Sequence, residues 1–399
     1  MANIVIVGGK LQGGEAAYLG REAEIDVILI DSDPMAPAQK LCSRFLCGDV
    51  LGGNPEVLAA LEAADMILPT MENYEVLCGL EKLCEKKGYR LAFDMDAYEV
   101  TSSKKSSDEL FASNNLPCPE YWPNGNLPYI AKPDLDSGSH GIKAFGTGNK
   151  DSQEEQAELE AFIRDGGAEK YVVQEFVSGP SYSVEIIGEP GNYRVYEPTQ
   201  IFVDSDYDCN VAAANRVITK KKRILLEGYA VRIAELLRLK GIMDLEVIDT
   251  DEAPDGAPGA GKGIKILEID ARLPSQTSVA VYHATGMNYI KELYDLFVNG
   301  KFIDSKTDRG LCAIYTQYLV RRNSVAECLG EHILVEGGLL EFDCELCISK
   351  PGEYCGSRAV TDRIWSRENG AEEWRGFFVN WAEDMEMLDK EVKKWNLIL

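Results

Sequence analysis

The sequence predicts an α/β chain whose middle is α+β and whose last hundred residues are rich in strands. Three observations carry this. Apolar strands alternate with amphipathic helices over the first hundred residues, the rhythm of a parallel sheet with helices on its faces. The texture changes near residue 100, where polar and Pro-rich connections appear. The chain has 399 residues, 45% of them hydrophobic, and that length suits two or three domains, placed at 1–100, 101–300 and 301–399.

The elements follow in order. Ile4 to Val7 is a short run of branched residues and forms the first strand. A Gly-rich turn and a helix through Tyr18 come next. Val27 to Ile30, closed by Asp31, is the second strand, and Met66 to Pro69 another. Glu75 to Lys87 has helical spacing, and Arg90 to Phe93 is a further strand. Thr101 to Ser107 is a polar link holding Lys104 and Lys105, followed by a helix from Ser107 to Asn114 and a strand from Tyr129 to Lys132. Ser152-Gln153-Glu154-Glu155 is a capping box, opening an acidic helix that buries Leu159, Phe162 and Ile163. Tyr171 to Gln174 is a strand. Lys222 to Lys240 is a long amphipathic helix that Gly241 stops. Strands Ile242 to Ile248 and Ile264 to Ile269 flank Asp251 to Lys262, whose Pro, Gly and Ala content marks a flexible surface loop. A final acidic helix runs from Trp381 to Trp395.

Charge excludes several functions. Against 41 Lys+Arg stand 66 Asp+Glu, a net charge of −25. Such a field repels phosphate backbones and anionic lipid, so neither nucleic acid nor a membrane surface is an expected partner. Mean hydropathy is −0.19, and no apolar run is long enough to span a bilayer. The opening strand lacks the basic leader of a signal peptide, and eleven cysteines without such a signal suit a reducing cytoplasm. Cys344 and Cys347 form a C-x-x-C, but the strand expected over Leu339 to Ile348 would point them to opposite faces, so they are ordinary thiols. His140, His283 and His332 are too scattered for a His-rich metal site.

Three stretches carry candidate chemistry. Lys132 ends a strand and is followed by a loop containing Gly138, Ser139 and Gly141, through His140 to Lys143. Such loops let backbone N–H groups approach phosphate oxygens while a nearby lysine neutralises charge. A plain Gly-Ser turn fits that stretch equally well, and it is not a Walker A loop. Gln174-Glu175-Phe176-Val177 runs from a strand into an open connection, where backbone edges suit an adenine and Glu175 suits ribose hydroxyls; an ordinary inter-strand link is the plainer reading. In Met243-Asp244-Leu245-Glu246-Val247 the acids share one face, as do Glu268 and Asp270. If these two strands pair, Glu246, Glu268 and Asp270 converge. Two carboxylates ~4 Å apart repel by about 4 kcal/mol at an effective dielectric of 20, so the cluster calls for a cation. Oxygen ligands beside phosphates suit Mg²⁺. For any single acid a solvated strand face explains the pattern as well.

The first turn, Gly8-Gly9-Lys10-Leu11-Gln12-Gly13-Gly14, follows a strand and precedes Asp31 at the end of the next. It imitates a dinucleotide site without being G-x-G-x-x-G. Lys10, Asp31, Asp49 and Val50 are therefore candidate contacts to a nucleotide sugar or phosphate.

Together these residues resemble the ATP-grasp carboxylate–amine ligases. The matching parts are Lys104, Lys132 with its Gly-Ser loop, the Gln174 to Val177 hinge, and the acidic pair with Arg272. The family's usual E-x-N-x-R reads here Glu268-Ile269-Asp270-Ala271-Arg272, with Asp for Asn, which adds charge while keeping an oxygen ligand. The resemblance spans residues 1 to 300. Within the family the chain looks closest to the branch that joins 3-methyl-D-ornithine to L-lysine on the way to pyrrolysine. Gly8 to Gly13, Pro69-Thr70-Met71-Glu72-Asn73 and Ala271 to Thr277 carry that likeness.

The resemblance implies ATP-grasp architecture: an N-terminal Rossmann-like sheet, a two-lobed nucleotide-binding region and a β-rich C-terminal domain. It implies ATP and Mg²⁺, with an acyl phosphate attacked by an amine. It places Lys104, Lys132 and Ser139 on the phosphates, Gln174, Glu175, Phe176 and Val177 on adenine and ribose, and Glu246, Glu268 and Asp270 on the metal. Arg272 would steady the acyl phosphate and oxyanion. Ser183, Val184 and Glu185, with Arg272, Leu273, Pro274, Ser275, Gln276 and Thr277, would surround the ornithine-like substrate. Leu11, Gln12 and Glu72 would receive lysine, although Glu72 also suits a helix N-terminus. A homodimer is left open. The competing readings are a dipeptide-type ligase with other substrates, a nicotinamide-dependent oxidoreductase using the N-terminal sheet, and a non-catalytic nucleotide-binding regulator.

Overall fold

The computed structural model describes residues 2–135, 141–147, 152–204, 207, 209–214, 218–303, 308–321, 327–328, 340–341, 356–365 and 372–394. Ser139, His140, His332, Cys344 and Cys347 lie outside the described residues.

Ile4, Val5, Ile6 and Val7 are all buried, as an apolar strand covered on both faces must be. They belong to β1 (Asn3–Val7), which precedes α1 (Leu11–Glu22), β2 (Asp26–Asp31), β3 (Arg44–Cys47), α2 (Pro55–Ala63), β4 (Met66–Pro69) and α3 (Tyr74–Lys87). The strands form a parallel sheet in the order β3-β2-β1-β4, with Ile4 opposite both Val27 and Met66. The strand expected over Arg90 to Phe93 reduces to one bridge between Ile67 and Leu91. The chain leaves the sheet there because Asp94 caps α4 (Met95–Thr101), accepting the Ala97 N–H at 3.0 Å.

The polar link expected over Thr101 to Ser107 is instead the end of α4 and the start of α5 (Lys104–Ser113). Ser103 is the N-cap, its Oγ accepting from Ser106 N. Lys104 therefore stands in the first turn of a helix.

A three-stranded antiparallel sheet follows, built from β5 (Tyr129–Pro133), β6 (Lys143–Phe145) and, after α6 (Ser152–Arg164) and α7 (Gly167–Lys170), β7 (Tyr171–Glu175). Helix α6 covers it with buried Leu159 and half-buried Phe162 and Ile163.

A larger sheet is then assembled from β8 (Ser181–Glu189), β9 (Asn192–Val195), β10 (Thr199–Val203), β11 (Cys209–Ala214), β12 (Gly241–Asp249) and β13 (Ile264–Asp270), with α8 (Lys220–Leu237) packed against it. Helix α8 stops before Gly241: Arg238 adopts a left-handed φ of 54°, and the amides of Arg238 and Leu239 close on Glu235 and Ala234 carbonyls. After α9 (Thr277–Thr285) and α10 (Tyr289–Phe297) come β14 (Cys312–Arg321), β15 (Glu327–Cys328), β16 (Leu340–Glu341), β17 (Gly356–Trp365), β18 (Glu372–Ala382) and α11 (Met385–Lys394). Strand β14 pairs with β11, so the C-terminal strands extend the same sheet. The final helix starts later than expected because Trp381 is still in β18, opposite Ala313 and Gly356.

The segment 251–262 is not slack. Gly261 N donates to Thr250 O at 2.8 Å, and Lys262 N to Thr250 Oγ1 at 2.9 Å. Ser178 N reaches Pro258 O at 2.8 Å, which fastens the segment to the chain after β7. Composition suggested flexibility; backbone hydrogen bonds across the hairpin removed it.

One apolar cluster joins the N-terminal sheet to α9, α10 and β18. Tyr18 meets Phe377 edge-on at 5.8 Å, and His283 stacks between Tyr18 and Trp381. This shared core is what brings the first and middle regions face to face.

Candidate functional site

Strand alternation builds the floor of the site. Antiparallel pairing sets Asp244 opposite Asp270 and Glu246 opposite Glu268, while Leu245 and Ile269 turn into the core. Helix α5 brings Lys104 above this face, and β5 brings Lys132. All of them line one cavity of about 680 Å³, together with Gln174 to Ser178, Ser183, Gln200, Tyr207, Arg272 and Pro274 to Thr277.

The cavity is electrostatically tense. Lys104 Nζ lies 2.6 Å from Glu268 Oε1. Burial works against the Lys104 charge, but Glu268, Asp270 and Glu246 outweigh it and hold the ammonium above its ordinary value. Lys132 is pushed the other way by burial, which outweighs the opposing pull of Glu268, with Lys104 adding to it. Burial and then Glu268 raise Glu246 to about 7. Burial raises Asp270 to about 7 against the pull of Arg272. Asp244 is raised well above the carboxylate range by burial and by Asp270, and its Oδ1 is buried with no partner among the described residues.

That donor set fits a divalent cation shared with phosphates. Among the described residues no three acidic, His or Cys side chains form an all-protein cage. The physical reason is visible: Lys104 holds Glu268, and Arg272 Nη2 holds Asp270 Oδ2 at 3.1 Å. Mg²⁺ needs only one or two carboxylates when phosphate oxygens complete its shell. Crowded carboxylates kept partly protonated are what such an ion would relieve.

Arg272 stands on a boundary. Its Nε lies 2.8 Å from Glu72 Oε1, which also accepts from Gln12 Nε2 at 3.2 Å. Arg272 and Ser275 line the first cavity and also a second, of about 740 Å³, at the carboxyl ends of β1, β2 and β4. Lys10, Leu11, Gln12, Asp31, Asp49, Val50 and Glu72 all line this second cavity, and none of them the first. Asp31 and Asp49 are partly engaged in turns: Asp31 Oδ2 accepts from Gly9 N at 2.6 Å and Asp49 Oδ1 from Leu51 N at 2.9 Å.

The hinge offers fewer amides than the sequence suggests. Glu175 N donates to Glu120 O and Phe176 N to Pro128 O. The Val177 amide has no partner among the described residues and borders the cavity. Phe176 and Tyr207 meet edge-on at 6.2 Å. Ser183 reaches the first cavity. Glu185 lies behind it, bound to Ser183 Oγ and Tyr289 Oη. Val184, out of phase with Ser183 and Glu185 on β8, points into the apolar core, and Leu273, just past the end of β13, is buried in the core as well, so neither lines the cavities.

Several cavity residues escaped the sequence reading. Asp244 was visible on the acidic face but not assigned, and only pairing with Asp270 gives it a place. Gln200 and Cys209 come from strands with no motif, and Tyr207 from between those strands. Lys262, which does not itself line the cavity, reaches Glu175 from the Gly-rich segment, Nζ to Oε1 at 2.6 Å.

Comparison with known proteins agrees with this geometry. A family model described as an ATP-grasp domain matches residues 101–276. A protein of Methanosarcina acetivorans named 3-methyl-D-ornithine–L-lysine ligase is 33% identical over 337 residues, 84% of this chain and 85% of that one. A protein of the same name from Methanosarcina barkeri is 31% identical over 388 residues, 95% of this chain and 98% of that one. Among solved structures, N5-carboxyaminoimidazole ribonucleotide synthetase from Thermus thermophilus superposes with a TM-score of 0.67 at 16% identity, covering 98% of this chain and 97% of that one. A biotin carboxylase–β,γ-ATP complex from Campylobacter jejuni gives a TM-score of 0.68 at 16% identity, covering 98% and 90%. These last two share the fold.

Proposed function

We infer the reaction from a premise now in hand: the chain belongs to the ATP-grasp family and is an ATP-dependent carbon–nitrogen ligase. The substrates we assign are 3-methyl-D-ornithine, which supplies the carboxylate, and L-lysine, whose ε-amine attacks. ATP transfers its γ-phosphoryl group to the carboxylate, giving an acyl phosphate and ADP. The amine then displaces phosphate and an amide forms.

The observation that carries this reading is Arg272 on the wall shared by two cavities. A guanidinium already paired with Glu72 and Asp270 sits where an acyl phosphate in the first cavity would meet an amine from the second. Its fork suits the phosphate and the developing oxyanion. Lys104 and Lys132 would neutralise the phosphates, and Gln174 to Val177 would hold the base and ribose. Glu246, Glu268 and Asp270 would hold Mg²⁺, which when bound spreads charge over the β- and γ-phosphates. Ser183 and Pro274 to Thr277 would receive the ornithine-like substrate; Leu11, Gln12 and Glu72 would receive lysine. Lys10, Asp31, Asp49 and Val50 would contact a nucleotide sugar or phosphate from the second cavity. The protein's contribution is placement and charge, with no covalent intermediate on a side chain.

The test is product analysis by mass spectrometry with ATP, Mg²⁺ and the two amino acids. The expected products are the amide, ADP and phosphate, with phosphate release requiring both amino acids. AMP with pyrophosphate would mean adenylation. Full turnover with a different amino-acid pair would leave the ligase and remove this substrate assignment.

A further inference from the structure

We propose that Lys262 is a positioning residue for nucleotide recognition: it anchors the Glu175 carboxylate so that one oxygen is presented to a ribose hydroxyl. The proposal rests on the reading that Glu175 holds the ribose. Lys262 Nζ is 2.6 Å from Glu175 Oε1, and the Glu175 side chain is only 7% exposed. The other oxygen, Oε2, is buried with no partner among the described residues. One oxygen is thus held by the Lys262 ammonium, while the second is buried and unpartnered on a side chain whose residue lines the first cavity.

The anchor works because its own backbone is held. Thr250 Oγ1 donates to Gly263 O at 2.7 Å and accepts from Lys262 N, and Gly263 N reaches Asp251 Oδ1 at 3.1 Å. Lys222 pairs with Asp249 and Glu252, tying the start of the segment to α8. At its other side Gly259, with φ +71°, presses on the hinge: a Cβ there would lie 2.6 Å from Val177 Cγ1. Only glycine permits that approach. Gly259 therefore serves close packing of the segment against Val177. The lysine that ends the segment reaches back to the carboxylate from 87 residues away in sequence.

Steady-state kinetics with ATP, 2′-deoxy-ATP and 3′-deoxy-ATP test this. Lys262→Met is expected to raise KM for ATP about tenfold, the scale of a misplaced charged hydrogen bond, with the change in KM rather than kcat. Its preference for ATP over the deoxy analogue should fall by the same factor, and Lys262→Arg should restore both. Glu175→Gln provides the reference. If Glu175→Gln loses the ribose preference and Lys262→Met keeps it, the anchor role is overturned. If Glu175→Gln itself keeps the preference, the ribose reading of Glu175 fails and the proposal falls with it. Lys262 is 41% exposed, so its truncation opens no core cavity and a loss of preference cannot be assigned to unfolding.

Discussion

At Glu268 the arrangement of charge decides what the site can do. Its carboxylate lies against Lys104 and across from Glu246, so it can serve a cation only when phosphates draw the lysine away. Glu268→Gln is expected to reduce phosphate release at least about 100-fold. Its thermal midpoint should stay within about 5 °C of the parent. Release at the parental rate would remove Glu268 from the metal site. A second prediction concerns pH. Glu246 and Asp270 keep protons up to about 7 in the fold, whereas unfolded carboxylates lose them near pH 4. Between these values the folded chain binds more protons, so the stability of the ligand-free protein falls as pH rises from about 4.5 to about 7. A cation bridging to phosphate competes with those protons. Stabilisation by ATP with Mg²⁺ should therefore grow over the same interval, and scanning calorimetry across it would show a shift that widens with pH. An unchanging shift would count against these acids as ligands. The acidic face of each strand is legible because alternation is local; their convergence waits on the pairing of β12 with β13. The inward turn of Val184 follows from the same alternation, read one position more carefully.

At the level of elements, the first βα turn shows why glycines cluster there. Gly13 lies in the first turn of α1, and a Cβ at that position would stand 2.0 Å from Gly8 O, the atom that Thr70 Oγ1 also hydrogen-bonds. Gly13→Ala should cost more than about 2 kcal/mol, because backbone rather than a flexible side chain is in the way. Urea unfolding measures it, and a neutral result would mean that α1 can slide. Gly8 to Gly14 imitates a dinucleotide site in sequence; in the fold Gly13 serves close packing of helix on strand. The boundary between α4 and α5 was misread for a local reason. Ser102, Ser103, Lys104 and Lys105 look like a link, yet Ser103 is a cap, and capping is decided by one dihedral at one residue. Segment 251–262 was misread for the opposite reason, since its order comes from partners outside it.

Over the whole molecule, the two cavities are held together by buried polar contacts that cross the chain. Glu15 of α1 is fully buried and accepts from Gln276 N at 2.6 Å and Ser278 Oγ at 3.1 Å. Gln276 sits at φ +69°, a conformation a non-glycine residue keeps only when its surroundings impose it. Glu15→Ala should cost about 3 kcal/mol in urea unfolding by stranding these donors. It should also raise KM for the carboxylate substrate, because the Pro274 to Thr277 turn loses its brace. Intact stability in that variant would show that α9 is held by packing alone.

The sequence by itself determined the alternating elements of the first region, the acidic faces of β12 and β13, and the series of motifs that point to an ATP-grasp ligase. All of these are local or ordered along the chain, governed by side-chain periodicity and residue chemistry. Only the tertiary structure decided that Arg272 stands between two cavities, that Glu72 meets it while accepting from Gln12, and that Lys262 reaches Glu175. Those contacts join residues scores of positions apart, and no local pattern encodes them. They arise when a shared core of Tyr18, His283 and Phe377 closes the N-terminal sheet onto the middle region, and burial then obliges each charge to find its partner.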